Sequence, residues 1–298
     1  MRYFYRMSSS KPNKTPAFFT IDVEEWFHAS VVERSVPRHQ WPQQESRLQA
    51  QMERIVALLE EAKATATFFW LSPLAQKFPV MVRSLVEAGH EIASHGVTHK
   101  RLESLSTAEL TSEFVESKSI LEDLTGQPIY GYRAPNFSIT DKALELLESA
   151  GYRYDSSVVP SQWHKGYGQL QHHTIQKGAP YLIRPHLMEV PLTVGPLNIP
   201  CSGGAYLRHF PYILFERLFF NDSPLVTSLL VTSKQATTPL VTSKLFYLHP
   251  WELDALQPLP KGMPWIDKVR HMRNANEVEK RLKRLMEKVQ FGRILDAL

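Results

Sequence analysis

The chain has 298 residues, room for one large α/β domain or two smaller ones, with the apolar and charged fractions of an ordinary globular protein. Lys and Arg exceed Asp and Glu by 34 − 30 = 4, and no long basic run occurs, so nothing points to a nucleic acid partner. A single cysteine, Cys201, excludes an internal disulfide, and in its PCSGG setting it reads as an inert thiol.

Residues 1–16 carry positive charge but no apolar signal-peptide core, so they are expected to form a disordered lead and the protein to be cytoplasmic. AFFTID (17–22) is a compact apolar run ending in an acid, as a buried strand would be. Residues 45–62 place apolar side chains at helical spacing. ATATFFWL (64–71) predicts a second strand, and Pro73 opens a helix to about Ala88 with Gly89 as its stop. HEIASH (90–95) is a third strand. Helix 106–125 begins with the capping box S-T-A-E and ends at Gly126.

PIYGYRAP (128–135) predicts a fourth strand, TDKALELLESAG (140–151) a helix, and YRYDSSVV (152–159) a fifth strand. LIRPHLMEVPLTV (182–194) reads as a sixth strand interrupted by Pro185, followed by a helix at 208–220. In residues 224–244 LVTS recurs at 225, 230 and 240, which we read as a low-complexity surface insertion. KLFYLHPWELD (244–254) supplies the seventh strand, and a charged helix near 276–290 lies within a C-terminal helical extension, 255–298. Repeated strand–helix alternation predicts a parallel sheet closed into an α/β barrel of about seven strands, with ligands at the C-terminal strand ends. No stretch is long and apolar enough to be a transmembrane segment.

The candidate functional residues fall at those ends. His95 and His99 in EIASHGVTH are four apart, a spacing that in a helix puts two imidazoles on one face for one metal ion. An HxxxH pair alone is a weak signal in a chain with 12 His. Asp22, Glu24 and Glu25 crowd the end of the first strand, where Asp22 and Glu24 share a face. One acid of such a pair can bind metal while the other takes a proton from water; a solvated acidic turn is the plainer alternative. Arg133 in YRAPNF, Asp155 in YDSS and His249 in YLHPWE are single titratable residues, each unremarkable alone. His28, His39, His164, His172, His173 and His186 lack ligand spacing with a third partner.

In order, acid–x–acid, SHxxxH, RAP, YD and LHP resemble the polysaccharide deacetylase family, the NodB-homology group of carbohydrate esterases, over residues 17–254. TIDVEEWFH, SHGVTH, YRAPNFS, GYRYDSS, EVPLT, SGGAYLR and YLHPWELD are further similar to a subfamily found with bacterial exopolysaccharide and sorting-signal loci. The resemblance implies a distorted barrel and a metal-dependent hydrolase that removes N-acetyl groups from an amino-sugar oligo- or polysaccharide or its precursor. It implies Asp22 as general base, His95 and His99 as metal ligands, Arg133 orienting the base, Asp155 tuning the catalytic His, and His249 as general acid. Leu248 would line the acetyl pocket, the backbone N–H near Asn136 would help hold the oxyanion, and Trp251 would contact substrate.

Two departures stand out. Val23 follows Asp22 where the family has a second acid, which makes Glu24 the third ligand. Asn136 intervenes before the aromatic Phe137. Zn2+ is the expected ion, with Co2+, Fe2+ or Ni2+ as alternatives. The competing readings are an allantoinase-like hydrolase of cyclic amides or imides on the same fold, and a non-catalytic carbohydrate-binding barrel. Oligomeric state, a homo-oligomer included, stays open.

Overall fold

The computed structural model describes residues 14–163, 166–168, 170–220 and 244–298. The expected lead, up to residue 13, and the LVTS insertion, up to residue 243, lie outside the described residues. Strand β1 (Thr15–Val23) pairs along both of its edges and lies next to one end of the sheet. Strands β2 (Thr67–Trp70), β3 (Glu91–Ser94), β4 (Gly131–Tyr132) and β5 (Tyr154–Asp155) follow it in parallel, side by side. On the other edge of β1, β8 (Leu245–Leu248) pairs with Phe18–Ile21 and β9 (Val289–Gly292) with Thr15–Phe18. Beyond β5 come β7 (Leu187–Glu189) and, antiparallel to it, β6 (Tyr181–Arg184).

The expected single strand at 182–194 is thus a hairpin. Pro185 has no N–H to continue a ladder, and the turn is held by Glu148, which accepts from His186 N (2.7 Å) and Arg184 Nε (2.8 Å). No strand pairing closes the sheet on itself among the described residues. The chain at 190–203 spans the gap instead: Leu192 N donates to Val158 O (3.0 Å), Leu245 N to Thr193 Oγ1 (2.7 Å) and Tyr247 N to Ser202 O (2.7 Å). The result is an α/β barrel, distorted and laced shut on one side.

Helices α1 (Ser30–Glu33), α2 (Leu48–Ala62), α3 (Ser72–Lys77), α4 (Pro79–Glu87), α5 (Thr107–Thr125) and α6 (Asp141–Ser149) come before the hairpin, with α7 (Gly204–His209), α8 (Tyr212–Phe220), α9 (Trp265–Met272) and α10 (Val278–Lys288) after it. In α2, Leu48, Met52, Ile55, Leu58 and Leu59 are buried at helical spacing, and α5 has its capping box and a left-handed Gly126 stop. The expected helix 73–88 is two helices, because Pro79 cannot donate to the turn before it and Phe78 leaves helical geometry. Pro211 divides the expected 208–220 helix in the same way.

The C-terminal residues add more than helices. Past Lys288, Val289 and Phe291 are buried and Gln290 exposed, a period-two pattern, and the chain extends into β9. It then covers the N-terminal end of the barrel, where Ile294 N donates to Thr67 Oγ1 (2.9 Å) and Leu295 N to Glu91 (3.0 Å).

Alternation along the strands sorts the side chains into two layers. Ala17, Phe19, Ile21 and Val23 pack with the helices, as do Phe68, Trp70, Phe246 and Leu248. Phe18, Phe69, Ala93, Tyr154, Leu245 and Tyr247 fill the barrel interior. Thr20, Asp22 and Glu24 follow Phe18 on the interior side, so the strand that anchors the outer core also carries both acids inward.

Candidate active site

A cleft of about 580 Å³ opens at the C-terminal strand ends, lined among others by Asp22, Glu24, His95, His99, Asn136 and His249. Glu24, His95 and His99 are all buried, and each offers a ligand atom within 4.8 Å of the others. His99 Nε2 lies 2.6 Å from Glu24 Oε2. His95 Nδ1 is 2.8 Å from the carbonyl of Arg133, an acceptor that fixes the proton on Nδ1 and leaves Nε2 with its lone pair. Burial pushes the His95 pKa down to about 4, against the pull of Asp22 and Glu24, so the ring is neutral at pH 7. Burial raises the Glu24 pKa, but the positive charge of His99 and His249 prevails, and the carboxyl stays well below the ordinary range. Two imidazoles and a carboxylate are the donor types that suit a divalent transition metal. The buried His99 Nδ1 has no hydrogen-bond partner among the described residues.

The two His are brought together by a loop rather than a helix. Gly96 (φ 83) and His99 (φ 56) both take left-handed backbone, and the buried Glu113 carboxylate gathers the N–H groups of Val97 (2.6 Å) and Thr98 (3.1 Å). A Cβ on Gly96 would lie 2.9 Å from Glu113 Oε2, so glycine is required on two counts. Arg38 clamps the loop from outside through the carbonyls of Thr98 (2.7 Å) and His99 (2.9 Å).

Asp22 stands beside this trio. Arg133, fully buried, donates to Asp22 Oδ1 (2.7 Å), Thr20 Oγ1 (2.8 Å), Ser156 O (2.8 Å) and Ser156 Oγ (2.8 Å), and lies over the Phe69 ring at 4.2 Å. A bonded guanidinium of this kind fixes the carboxylate in one orientation. Across the cleft, His249 Nε2 is 3.1 Å from Glu24 Oε1 and 3.9 Å from Asp22 Oδ2. Its Nδ1 lies 3.1 Å from Glu252 Oε2, which also accepts from the His249 N–H at 3.1 Å. Burial opposes protonation of His249, yet Glu24, Glu252 and Asp22 together lift its pKa to about 9.

Two expectations need correction. Asp155 does not reach His249. It points to the opposite face of β5 from Tyr154, where it accepts from Ser157 Oγ (2.6 Å) and sits in register with Glu189. Ser156 is the neighbour that faces Arg133, and Glu252 is the acid at His249. Glu252 is in turn met by Arg208 Nε from α7 at 3.2 Å. Leu248 also leaves the site: alternation on β8 sends it into the outer core, and Tyr247 lines the cleft in its place. Trp251 does line the cleft, stacked on the His249 ring at 4.9 Å. At Asn136 (φ 54) the N–H groups of the next two residues are committed to Ala134 and Pro135, which confines an oxyanion donor in this turn to Asn136 itself.

Sequence reasoning passed over His28, Glu252 and Arg208. His28 lines the cleft with its ring stacked on His99 at 5.2 Å, and Nδ1 accepts from the Glu25 N–H (3.3 Å). The i,i+3 spacing of His249 and Glu252 was a usable signal; the approach of Arg208 had none.

Residues 44–154 match the polysaccharide deacetylase family model, and residues 156–298 match a domain of unknown function named DUF3473. A peptidoglycan-N-acetylglucosamine deacetylase of Bacillus cereus is 29% identical over 112 residues, 38% of this chain and 50% of that protein. A chitooligosaccharide deacetylase of Azorhizobium caulinodans is 28% identical over 111 residues, 37% of this chain and 53% of that protein. The match thus spans about half or less of the curated relatives' length. A Mycobacterium smegmatis structure assigned as a polysaccharide deacetylase superposes with TM-score 0.57 at 15% identity, covering 96% of this chain and 90% of that one, a likeness of fold.

Proposed function

We propose, from the polysaccharide deacetylase match over residues 44–154, that this chain hydrolyses N-acetyl groups on an amino-sugar oligo- or polysaccharide or its precursor. The observation that carries the reading is the convergence of Glu24, His95 and His99 beside two further groups of opposite task, Asp22 and His249. Glu24, His95 and His99 would hold a divalent ion, zinc by donor type, with Co2+, Fe2+ or Ni2+ also compatible. Such an ion, when bound, supplies Lewis acidity toward the acetyl carbonyl and the attacking water.

Asp22 takes the proton of the attacking water, its carboxylate held in place by Arg133. His249, charged at neutral pH, gives its Nε2 proton to the departing amine, without which an amide nitrogen leaves very slowly. Glu252 holds the Nδ1 proton, so that Nε2 faces the cleft. The Asn136 backbone N–H contributes to the oxyanion, and Trp251 and Tyr247 form the walls on which a sugar ring packs. The similarity to the exopolysaccharide-locus group favours a cell-surface polymer of N-acetylated amino sugars. The convergence of Asp22, His249 and a Glu24, His95 and His99 trio, with Glu24 standing in for the family's second acid, weighs against a non-catalytic barrel.

Elemental analysis of the purified wild type beside His95→Ala tests the site, with acetate release from N-acetylglucosamine oligomers as the second readout. About one equivalent of metal in the wild type, lost in the variant together with acetate release, is the expected result. No metal in either after reconstitution would overturn the metal-dependent reading and leave the metal-free cyclic-amide hydrolase or the non-catalytic barrel.

A further inference from the structure

Helix α9 joins the active site to the molecular surface. Its inner face is anchored: His271 Nε2 is 2.9 Å from Gln257 Oε1, and the His271 ring stacks on Trp251 (4.9 Å), which stacks on His249. Asp267, also buried, lies 4.0 Å from Arg34. The opposite face is apolar and bare. Trp265 is 72% exposed, Ile266 50% and Val269 46%, and in the loop that Gln257 ties to this helix Leu256 is 84% exposed. Isolated exposed apolar residues are ordinary, but a contiguous set around a large aromatic is a mark of an interaction surface.

The charge around that face is one-sided. Lys261, Lys268, Arg270 and Arg273 surround it, and the single acid between residues 255 and 274 is the inward-facing Asp267. None of the four cations has an ion-pair partner among the described residues. At helical spacing Trp265 and Val269 form one row, and Ile266 and Arg270 the next. Arg270 itself lines the cleft, so the apolar face runs into the cleft mouth.

We propose that this face docks on an anionic lipid bilayer and so presents the cleft to an amino-sugar substrate tethered there. A tryptophan and aliphatic side chains ringed by unpaired cations are complementary to an interface that is apolar below and negatively charged above. No helix of the described residues is long and apolar enough to cross a membrane, and the geometry is that of a surface-lying contact. The substrate half of the proposal rests on the deacetylase reading; the docking half does not.

Co-sedimentation of the full chain with vesicles separates them, because it needs no turnover. Vesicles of phosphatidylcholine with phosphatidylglycerol should carry the protein down, and phosphatidylcholine alone should not. Trp265→Ser/Ile266→Ser should abolish the binding while acetate release from a soluble oligomer stays within about twofold, since both side chains are solvent-exposed. Lys261→Glu/Lys268→Glu should weaken binding by roughly tenfold or more, and high salt should do likewise. Equal sedimentation with both vesicle types, or binding unchanged in the apolar double variant, would overturn the proposal. So would light scattering that reveals a dimer split by that variant, since a second copy would then own the face.

Discussion

Replacing Glu252 by Gln removes one negative charge from behind His249 and little else. The carboxylate is 1% exposed and accepts from His249 Nδ1 and N at 3.1 Å each, with Arg208 Nε on its other oxygen at 3.2 Å. A charge pair about 4 Å apart is worth about 4 kcal/mol at an effective dielectric near 20, and the neighbouring Arg208 offsets part of that. A loss of about 2–3 kcal/mol of preference for the protonated imidazole lowers its pKa by about 2, which removes about half of the acid form at pH 7 and roughly 10²-fold of it above pH 9. The assay compares two substrates. An N-acetyl amino sugar expels a basic amine and needs His249 as acid, whereas 4-nitrophenyl acetate expels a stable phenolate and does not. Above pH 9 we expect about a 10²-fold fall in kcat/KM for the amide, shrinking to about twofold near pH 7, and less than about threefold for the ester at either pH. The alkaline limb of the amide pH profile, set in the wild type by a His249 pKa raised to about 9, should move to lower pH, because the acid is lost as pH rises through its pKa. An equal fall on both substrates would mean that Glu252 only supports the structure, and no fall would remove His249 from the acid role.

Three further outcomes concern the frame that holds the site. Arg133→Met strands the Asp22 carboxylate in the interior and should cost about 3–5 kcal/mol in urea unfolding; a cost below about 1 kcal/mol would refute the central place given to this pair. Burial raises the pKa of Asp155 to about 6 and that of Glu189 further, so the folded state keeps protons that the unfolded chain releases above about pH 4. Stability attributable to this pair therefore falls as pH rises through that window. Glu189→Gln, which holds its hydrogens permanently, should be more stable than wild type at pH 8 by on the order of 1–3 kcal/mol and converge with it near pH 4. Urea melts at the two pH values check this, and a less stable variant at pH 8 would refute it. Gly131→Ala would place a Cβ 2.0 Å from the Tyr154 ring, which cannot swing aside because its hydroxyl donates to Glu91 (2.8 Å). A loss of about 1–3 kcal/mol is expected from thermal melts, and a variant as stable as wild type would show the ring to be free.

The sequence by itself determined the layered architecture and the strand ends that carry the chemistry. Apolar runs ending in polar residues are a local property, and period two put Asp22 and Glu24 on the same face before any coordinates were known. Period two applied to β5 and β8 would also have turned Asp155 and Leu248 away from the cleft, had the inward face of those strands been legible. It was not, because β5 has only two paired residues and both faces of β8 are buried, so neither carries a polarity signal. The His95–His99 contact came from two left-handed residues and the distant Glu113, not from helical spacing. What only the tertiary structure decided is long-range: Arg208 behind Glu252, β9 against β1, and the C-terminal turn over the barrel floor. Each joins segments tens to hundreds of residues apart, where local propensity and periodicity carry no information and the closest packing of the whole chain makes the choice.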